Sequence, residues 1–369
     1  MSLLTIFSKV SAATHSDSIS ISPTAKSALH VVGNRIVNAA GGFYIPEGIS
    51  VYGGLEDRDY MENLANDTAQ IKAAAKYWHA NTVRLQVAES NLFSHLRSGQ
   101  SYNPVFLQQI KNQVALAHSL QQVVVINDQT EFTTKIPNPT ITTSRFWRIM
   151  GNVFGSKPYV IFDLFNEPRL VSSSGYESLR DTDTILSLFK PHKQQSLSGD
   201  VTRMSQKEIW QIWKNGGQVG GVAYVGMQNL VDQIRSRGVA NLVWVEGPYS
   251  AKVLPARKYL IKGINIVYSI HHPNLNNPAS WTRIATLATN HAVVDGEWAQ
   301  YQSTWAECYS DAYTNAPRYL SFLAQHNIGV IAWSLQANSL LSGKPSDAPT
   351  NTNTSDDPQQ ASALKSPNK

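Results

Sequence analysis

From His30 onward the chain alternates between short apolar runs and longer segments whose apolar residues recur every three or four positions. His30-Val31-Val32-Gly33-Asn34-Arg35-Ile36-Val37 reads as a small hairpin around Gly33-Asn34, and Gly48 to Gly54 as a strand running into a glycine loop. Asn66 to His79 has helix spacing behind an Asn66/Asp67 cap, followed by a strand over Thr82 to Val87. A helix over Val105 to Leu120, a strand over Val123 to Asp128 and a helix over Ser144 to Phe154 come next. The run from Tyr159 to Phe165 is predicted as a strand halted at Asn166-Glu167-Pro168, because proline has no N–H for a sheet ladder. After a polar stretch from Leu170 to Gly199, helical spacing returns through Trp210, Trp213, Val225, Leu230 and Ile234. Strands are predicted over Asn241 to Glu246, Asn265 to His271 and Ala292 to Glu297. A helix near Pro317 to His326 and a strand from Gly329 to Leu335 close the pattern.

About eight apolar strands separated mostly by helices is the order expected of an α/β chain folded as a (β/α)₈ barrel, here with an N-terminal hairpin. A doubly wound sheet is the runner-up, but no G-x-G-x-x-G or P-loop follows an early strand. Parallel strands would bring their carboxyl ends to one rim. Polar or aromatic residues mark many of those ends: Arg84, Asp128, Asn166-Glu167, Glu246, His271-His272, Glu297-Trp298 and Trp333. Any one alone reads as a solvated terminus; together on one rim they define a shared pocket. The Leu170 to Gly199 stretch is expected to form a loop over that face. Residues 1–27 are expected to be a flexible lead-in and 343–369 a disordered tail, leaving one domain over 28–342.

Composition narrows the function classes. The chain has 369 residues, 42% of them hydrophobic, so it can bury a large core. Its net charge of +5 comes from scattered Lys and Arg, with no dense basic run to favour nucleic acid or a membrane surface. Cys308 is the single cysteine, which excludes an internal disulfide and a cysteine-rich metal site. No apolar run has the length of a membrane span. Met1 to Ala13 holds Leu3, Leu4, Ile6 and Phe7 but is interrupted by Lys9 with no charged region before it, so no secretory signal is readable.

Two carboxylates dominate the rim. Glu167 and Glu297 each end an apolar strand, and glycosidic cleavage needs one carboxylic acid to protonate the leaving oxygen and a second carboxylate opposite it. Strand alternation puts Asp163, Phe165 and Glu167 on one face, and a carboxylate inside a barrel needs a partner, for which Arg84 is the candidate. His271-His272 could suggest a metal, but no third ligand has sensible spacing for zinc.

Five motifs then carry a resemblance. Arg84 in Val83-Arg84-Leu85, Phe165-Asn166-Glu167-Pro168, His271 after Val267-Tyr268-Ser269-Ile270, Asp295-Gly296-Glu297-Trp298 and Ala332-Trp333-Ser334 together resemble glycoside hydrolase family 5, the cellulase-like barrels. The resemblance runs from about His30 to Leu341 and implies a retaining, cofactor-free and metal-free hydrolase. Glu167 would be the acid/base, Glu297 the nucleophile, and Asn166 a ligand of the sugar 2-hydroxyl. Arg84 would keep Glu297 ionised, and His271 matches the family's histidine near the nucleophile. Trp333 would be the platform under the sugar, with Trp298 the competing indole. The implied partner is a β-linked polysaccharide, β-1,4-glucan first and β-mannan second, attacked in endo or exo mode by an extracellular monomer. A barrel that binds carbohydrate without turnover is the rival from another class, and a basic polyanion binder a weaker one. Two departures stand out. Pro273 occupies the position where relatives place a tyrosine, and Asn127-Asp128-Gln129 stands where the third strand often leads into a histidine.

Overall fold

The computed structural model describes residues 29–57, 60–130, 136–170, 204–219, 221–271, 278–298 and 312–335. The lead-in at 1–27, the polar insertion beyond Leu170, His272, Pro273, Tyr301, Cys308 and the tail at 343–369 lie outside the described residues.

Strands β1 (His30–Val32) and β2 (Arg35–Val37) form the expected hairpin, with Gly33 at a φ of +61° in its two-residue turn, a conformation glycine adopts without a Cβ penalty. The next four strands are β3 (Glu47–Val51), β4 (Thr82–Val87), β5 (Val123–Asp128) and β6 (Val160–Asp163). A second small hairpin, β7 (Gly217–Val219) and β8 (Val222–Tyr224), separates them from β9 (Val243–Glu246), β10 (Ile266–His271), β11 (Val293–Trp298) and β12 (Gly329–Ala332). The eight strands β3, β4, β5, β6, β9, β10, β11 and β12 pair in parallel and close into a barrel in that order.

The helices are α1 (Tyr60–Trp78), α2 (Glu89–Leu92), α3 (Pro104–Ser119), α4 (Ile141–Phe154), α5 (Gln206–Asn215), α6 (Met227–Arg235), α7 (Pro278–Ala288) and α8 (Ala312–Gln325). Three of their starts carry side-chain caps. Asn103 accepts the N–H groups of Val105 and Phe106 ahead of α3, and reciprocal boxes at Thr140/Thr143 and Ser205/Glu208 open α4 and α5.

The period of two within each strand divides the core into two shells. Outward residues such as Leu85, Ile126, Phe162 and Val245 pack with the helices, while Val125, Ile161, Trp244, Val267, Val294 and Ile331 fill the lower barrel. Leu29, Ile36 and Tyr44, from the region of the first hairpin, plug that lower end. Higher on the same inward faces the residues turn polar: Arg84, Gln86, Asn127, Asp163, Glu246 and His271, all buried. The apolar plug thus leaves chemistry only at the carboxyl ends of the strands.

Several expectations need correction. Helix α1 begins at Tyr60, so Asn66/Asp67 do not cap it; Asp67 is buried within the helix and its carboxylate accepts the Leu55 N–H at 2.9 Å. A cap-type residue had been recruited to brace the loop after β3. The single helical stretch through Trp210 to Ile234 is two helices, because Gly216 at φ +80° ends α5 and the β7–β8 hairpin intervenes. Helix α7 has no counterpart in the pattern reading, and α8 starts before Pro317, which lies inside it. Strand β6 stops at Asp163, so Phe165 falls in the outer shell beside Leu164, and alternation does not extend to Glu167.

Candidate active site

Arg84 is the centre of the polar layer. It is completely buried, and its fork reaches four partners: Nε donates to Asp163 Oδ2 at 2.8 Å, Nη2 to Asn166 Oδ1 at 2.8 Å and Glu246 Oε1 at 3.2 Å, and Nη1 to Glu297 Oε1. A planar guanidinium suits this, since its donors diverge in fixed directions. Burial works against its charge, but Asp163, Glu297 and Glu246 outweigh it and hold Arg84 above its ordinary range. The Arg84–Asp163 pair expected from the sequence is present. Burial and Glu246 nevertheless push Asp163 up to about 7, against the pull of Arg84 and His271.

Beyond β6, Leu164 to Pro168 are held from several sides. Trp147 Nε1 on α4 donates to the Leu164 carbonyl at 2.8 Å, Asn166 N–H to the Asp128 carbonyl at 2.8 Å, and Ser250 N–H to the Pro168 carbonyl at 3.1 Å. Glu167 takes a φ of +43°, a left-handed conformation unusual for a residue with a side chain. Its N–H donates to Glu246 Oε2 at 2.6 Å.

Glu297 reaches the same pocket through an irregularity. The pairing of β11 with both neighbours shifts register near Asp295 to Trp298, which breaks simple alternation and turns Glu297 inward. Asp295, ahead of the shift, accepts the Tyr319 hydroxyl on α8 at 2.8 Å, and burial pushes it up to about 7. Between them, Gly296 leaves room for β10: a Cβ there would collide with Ser269 Oγ and come within 3.0 Å of His271 Nε2. Gly296→Ala should therefore displace the imidazole and cut turnover by about 10²-fold, the scale of a 1 Å misplacement. Unaltered kinetics in a folded Gly296→Ala protein would refute this.

A carboxylate oxygen of Glu167, one of Glu297 and a ring nitrogen of His271 all lie within 4.8 Å of one another. His271 Nδ1 is 3.3 Å from Glu167 Oε1 and 3.6 Å from Glu297 Oε2, and its Nε2 is 3.0 Å from Glu246 Oε1. Burial opposes charge on this ring, yet Glu246, Glu297 and the hydrogen bonds to Glu167 and Glu246 carry it well above the usual histidine range. A metal ion would have to compete with that proton for the imidazole lone pair.

Of the two indoles, Trp333 is half-buried after β12, with its ring edge-on to Tyr52 at 5.2 Å, whereas Trp298 is only 2% exposed. Trp333 is the more exposed of the two. Glu246 appeared in the sequence as a polar strand end but received no role; its neighbours lie 79 and 162 residues away, which no local pattern reveals. Gln86, two positions after Arg84, points its amide at Glu297 Oε1 from 3.4 Å. Glu56, buried after β3, was also missed; burial, then Asp57 and Asp67, hold it well above the carboxylate range.

Asp128 does not join the pocket. The inward position at the end of β5 belongs to Asn127, whose amide has no protein partner among the described residues. Asp128 accepts from Thr130 Oγ1, which in turn accepts the Glu89 N–H, and it hydrogen-bonds the Glu89 carboxyl. Burial pushes Asp128 up to about 7, and burial with Asp128 beside it pushes Glu89 well above its range. Folded values above the unfolded ones mean that this pair's stabilisation is complete below about pH 4 and lost as pH rises through 7. Thermal melts should therefore show a Tm drop from pH 5 to pH 8 that Asp128→Asn reduces. An identical drop in both proteins would exclude a shared proton.

Three comparisons bear on this geometry. The family model described as cellulase (glycosyl hydrolase family 5) matches residues 47–339. Among solved structures, a β-glucanase from Saccharophagus degradans in complex with cellotetraose aligns at 18% identity over 84% of each chain, with a TM-score of 0.58. The catalytic domain of an endoglucanase from Thermobifida fusca aligns at 15% identity over 83% of this chain and 84% of its own, with a TM-score of 0.52. A β-mannanase from Streptomyces thermolilacinus with mannohexaose aligns at 15% over 85% and 87%, with a TM-score of 0.51. No curated protein sequence matches the chain.

Proposed function

Because the chain belongs to the cellulase family, glycosyl hydrolase family 5, and is a glycoside hydrolase, we propose that it cleaves β-linked polysaccharide by double displacement, with Glu297 as nucleophile and Glu167 as acid/base. In the first step Glu297 bonds to the anomeric carbon while Glu167 gives its proton to the departing glycosidic oxygen. In the second, Glu167 takes a proton from water, the resulting hydroxide bonds to the anomeric carbon, and the bond to Glu297 breaks. The observation that carries this reading is the pair of buried carboxylates with oxygens within 4.8 Å, close to the roughly 5–5.5 Å spacing of retaining enzymes and short of the roughly 6.5–9.5 Å of inverting ones. Arg84 would hold Glu297 as an anion, Asn166 would meet the sugar 2-hydroxyl, and Trp333 would lie under the ring.

We take β-1,4-glucan as the first substrate and β-mannan as the second. Structures of similar fold include enzymes named for each, so the fold does not separate them. The test is reducing-sugar release from cellulose derivatives, mixed-linkage glucan, mannan, xyloglucan and xylan, with product anomers followed by NMR. Retention with a preferred substrate supports the reading; inversion overturns the assignment of Glu297, and no release from any substrate leaves a carbohydrate-binding barrel.

A further inference from the structure

The pocket floor holds a third carboxylate besides Glu167 and Glu297. Glu246 is fully buried on β9 and faces inward. Its Oε1 lies 3.0 Å from His271 Nε2 and 3.2 Å from Arg84 Nη2, and its Oε2 accepts the Glu167 N–H at 2.6 Å. On the other edge of the ring, His271 Nδ1 faces Glu167 and Glu297 at 3.3 and 3.6 Å. A neutral imidazole carries one N–H, so one of its nitrogens would turn a lone pair toward a carboxylate. Carboxylate oxygens within 3.6 Å of both nitrogens favour the charged ring.

We propose that Glu246 is a positioning residue that keeps His271 charged between the two catalytic glutamates and so sets the pH range in which Glu297 is ionised while Glu167 keeps its proton. The proposal rests on the glycosidase reading above. Double displacement asks two carboxyls a few ångströms apart to hold opposite protonation states. Arg84 and the imidazolium both favour an ionised Glu297, but unopposed they would also draw the proton from Glu167. Glu246 supplies the opposing charge, and its second oxygen fixes the Glu167 backbone in the left-handed conformation that aims the carboxyl. The remaining titratable neighbours are Asp163 on β6, paired with Arg84, Asp295 on β11, tied to Tyr319, and Glu56 after β3, which interacts with Glu297 and Arg84; His271 acts on the two aspartates.

The test is Glu246→Gln, which keeps an acceptor for the Glu167 N–H but removes the charge, beside Glu246→Asp, which keeps the charge on a shorter arm. With less negative charge, every acid in the pocket releases its proton at lower pH. Both limbs of the kcat/KM profile of Glu246→Gln should move acidward by about 1 pH unit or more. The His271 NMR titration, identified by its loss in His271→Asn, should move the same way. Glu246→Asp should keep the wild-type profile at reduced kcat. Unmoved limbs and an unmoved His271 titration in Glu246→Gln overturn the proposal, as does a wild-type His271 that is neutral at pH 7, a measurement that holds even if the variant fails to fold. An inactive wild type would sink the glycosidase reading instead, while the His271 titration still decides the charge relation.

Discussion

Glu297→Ala should lower turnover of every β-linked substrate on the order of 10⁴- to 10⁶-fold, the scale on which loss of a covalent nucleophile is felt. Glu167→Ala should behave differently. Its proposed task is to protonate the leaving oxygen, and a nitrophenolate needs no proton to leave. On polysaccharide it should lose about 10²- to 10⁴-fold, whereas glycosyl-enzyme formation from a dinitrophenyl glycoside should be largely spared. Azide separates the roles further. In Glu297→Ala it enters where the carboxylate stood and attacks the anomeric carbon directly, giving a glycosyl azide of inverted configuration. In Glu167→Ala it attacks the glycosyl-enzyme and gives the retained product. Exchanged products would reverse the two assignments, and equal losses on both substrates would remove the division of labour altogether.

The alternation of periods made the barrel legible, because each strand had to be apolar on both faces low in the barrel and on one face above. Arg84, Asn166, Glu167, His271 and Glu297 were legible for a related reason: each interrupts or ends an apolar run, where a polar residue costs stability unless something uses it. Less legible were features that depend on the third dimension. Asp128 and Asn127 differ by one position, and only the strand register shows that Asn127 faces inward. Glu297 turns inward through a register shift that the run Val293-Val294-Asp295-Gly296 hints at only by its glycine. Asp67 looked like a helix cap because Asn-Asp caps are common; its actual task, bracing Leu55, comes from a loop twelve residues earlier. Glu246 lay in plain view, but its meaning resides in Arg84, Glu167 and His271 on other strands.

Arg84→Met should be the most destabilising single change in the pocket. The side chains are of comparable length, so packing is nearly kept, while the one guanidinium facing Asp163, Glu246 and Glu297 is lost. Removing one partner of a buried ion pair costs about 3–5 kcal/mol because the remaining charge is left without compensation. The loss should depend on pH. Arg84 and His271 both pull Asp163 down, Arg84 more strongly, so without Arg84 it rises beyond its present value of about 7. In the variant the folded state then binds more protons than the unfolded state from about pH 4 to above 7, and stability present at the acidic end is lost as pH rises. Urea titrations should accordingly show a smaller gap between wild type and Arg84→Met at pH 5 than at pH 8. Asp163→Asn added to Arg84→Met should recover part of the stability at pH 8 and little at pH 5, a non-additivity that reports direct coupling. Arg84→Lys should restore charge but not the fork, since one ammonium cannot reach Asp163, Asn166 and Glu297 together. If Arg84→Met loses the same amount at both pH values and Asp163→Asn rescues nothing, the cost is one of shape, and Arg84 is a spacer rather than the counter-charge that lets three acids share the barrel's mouth.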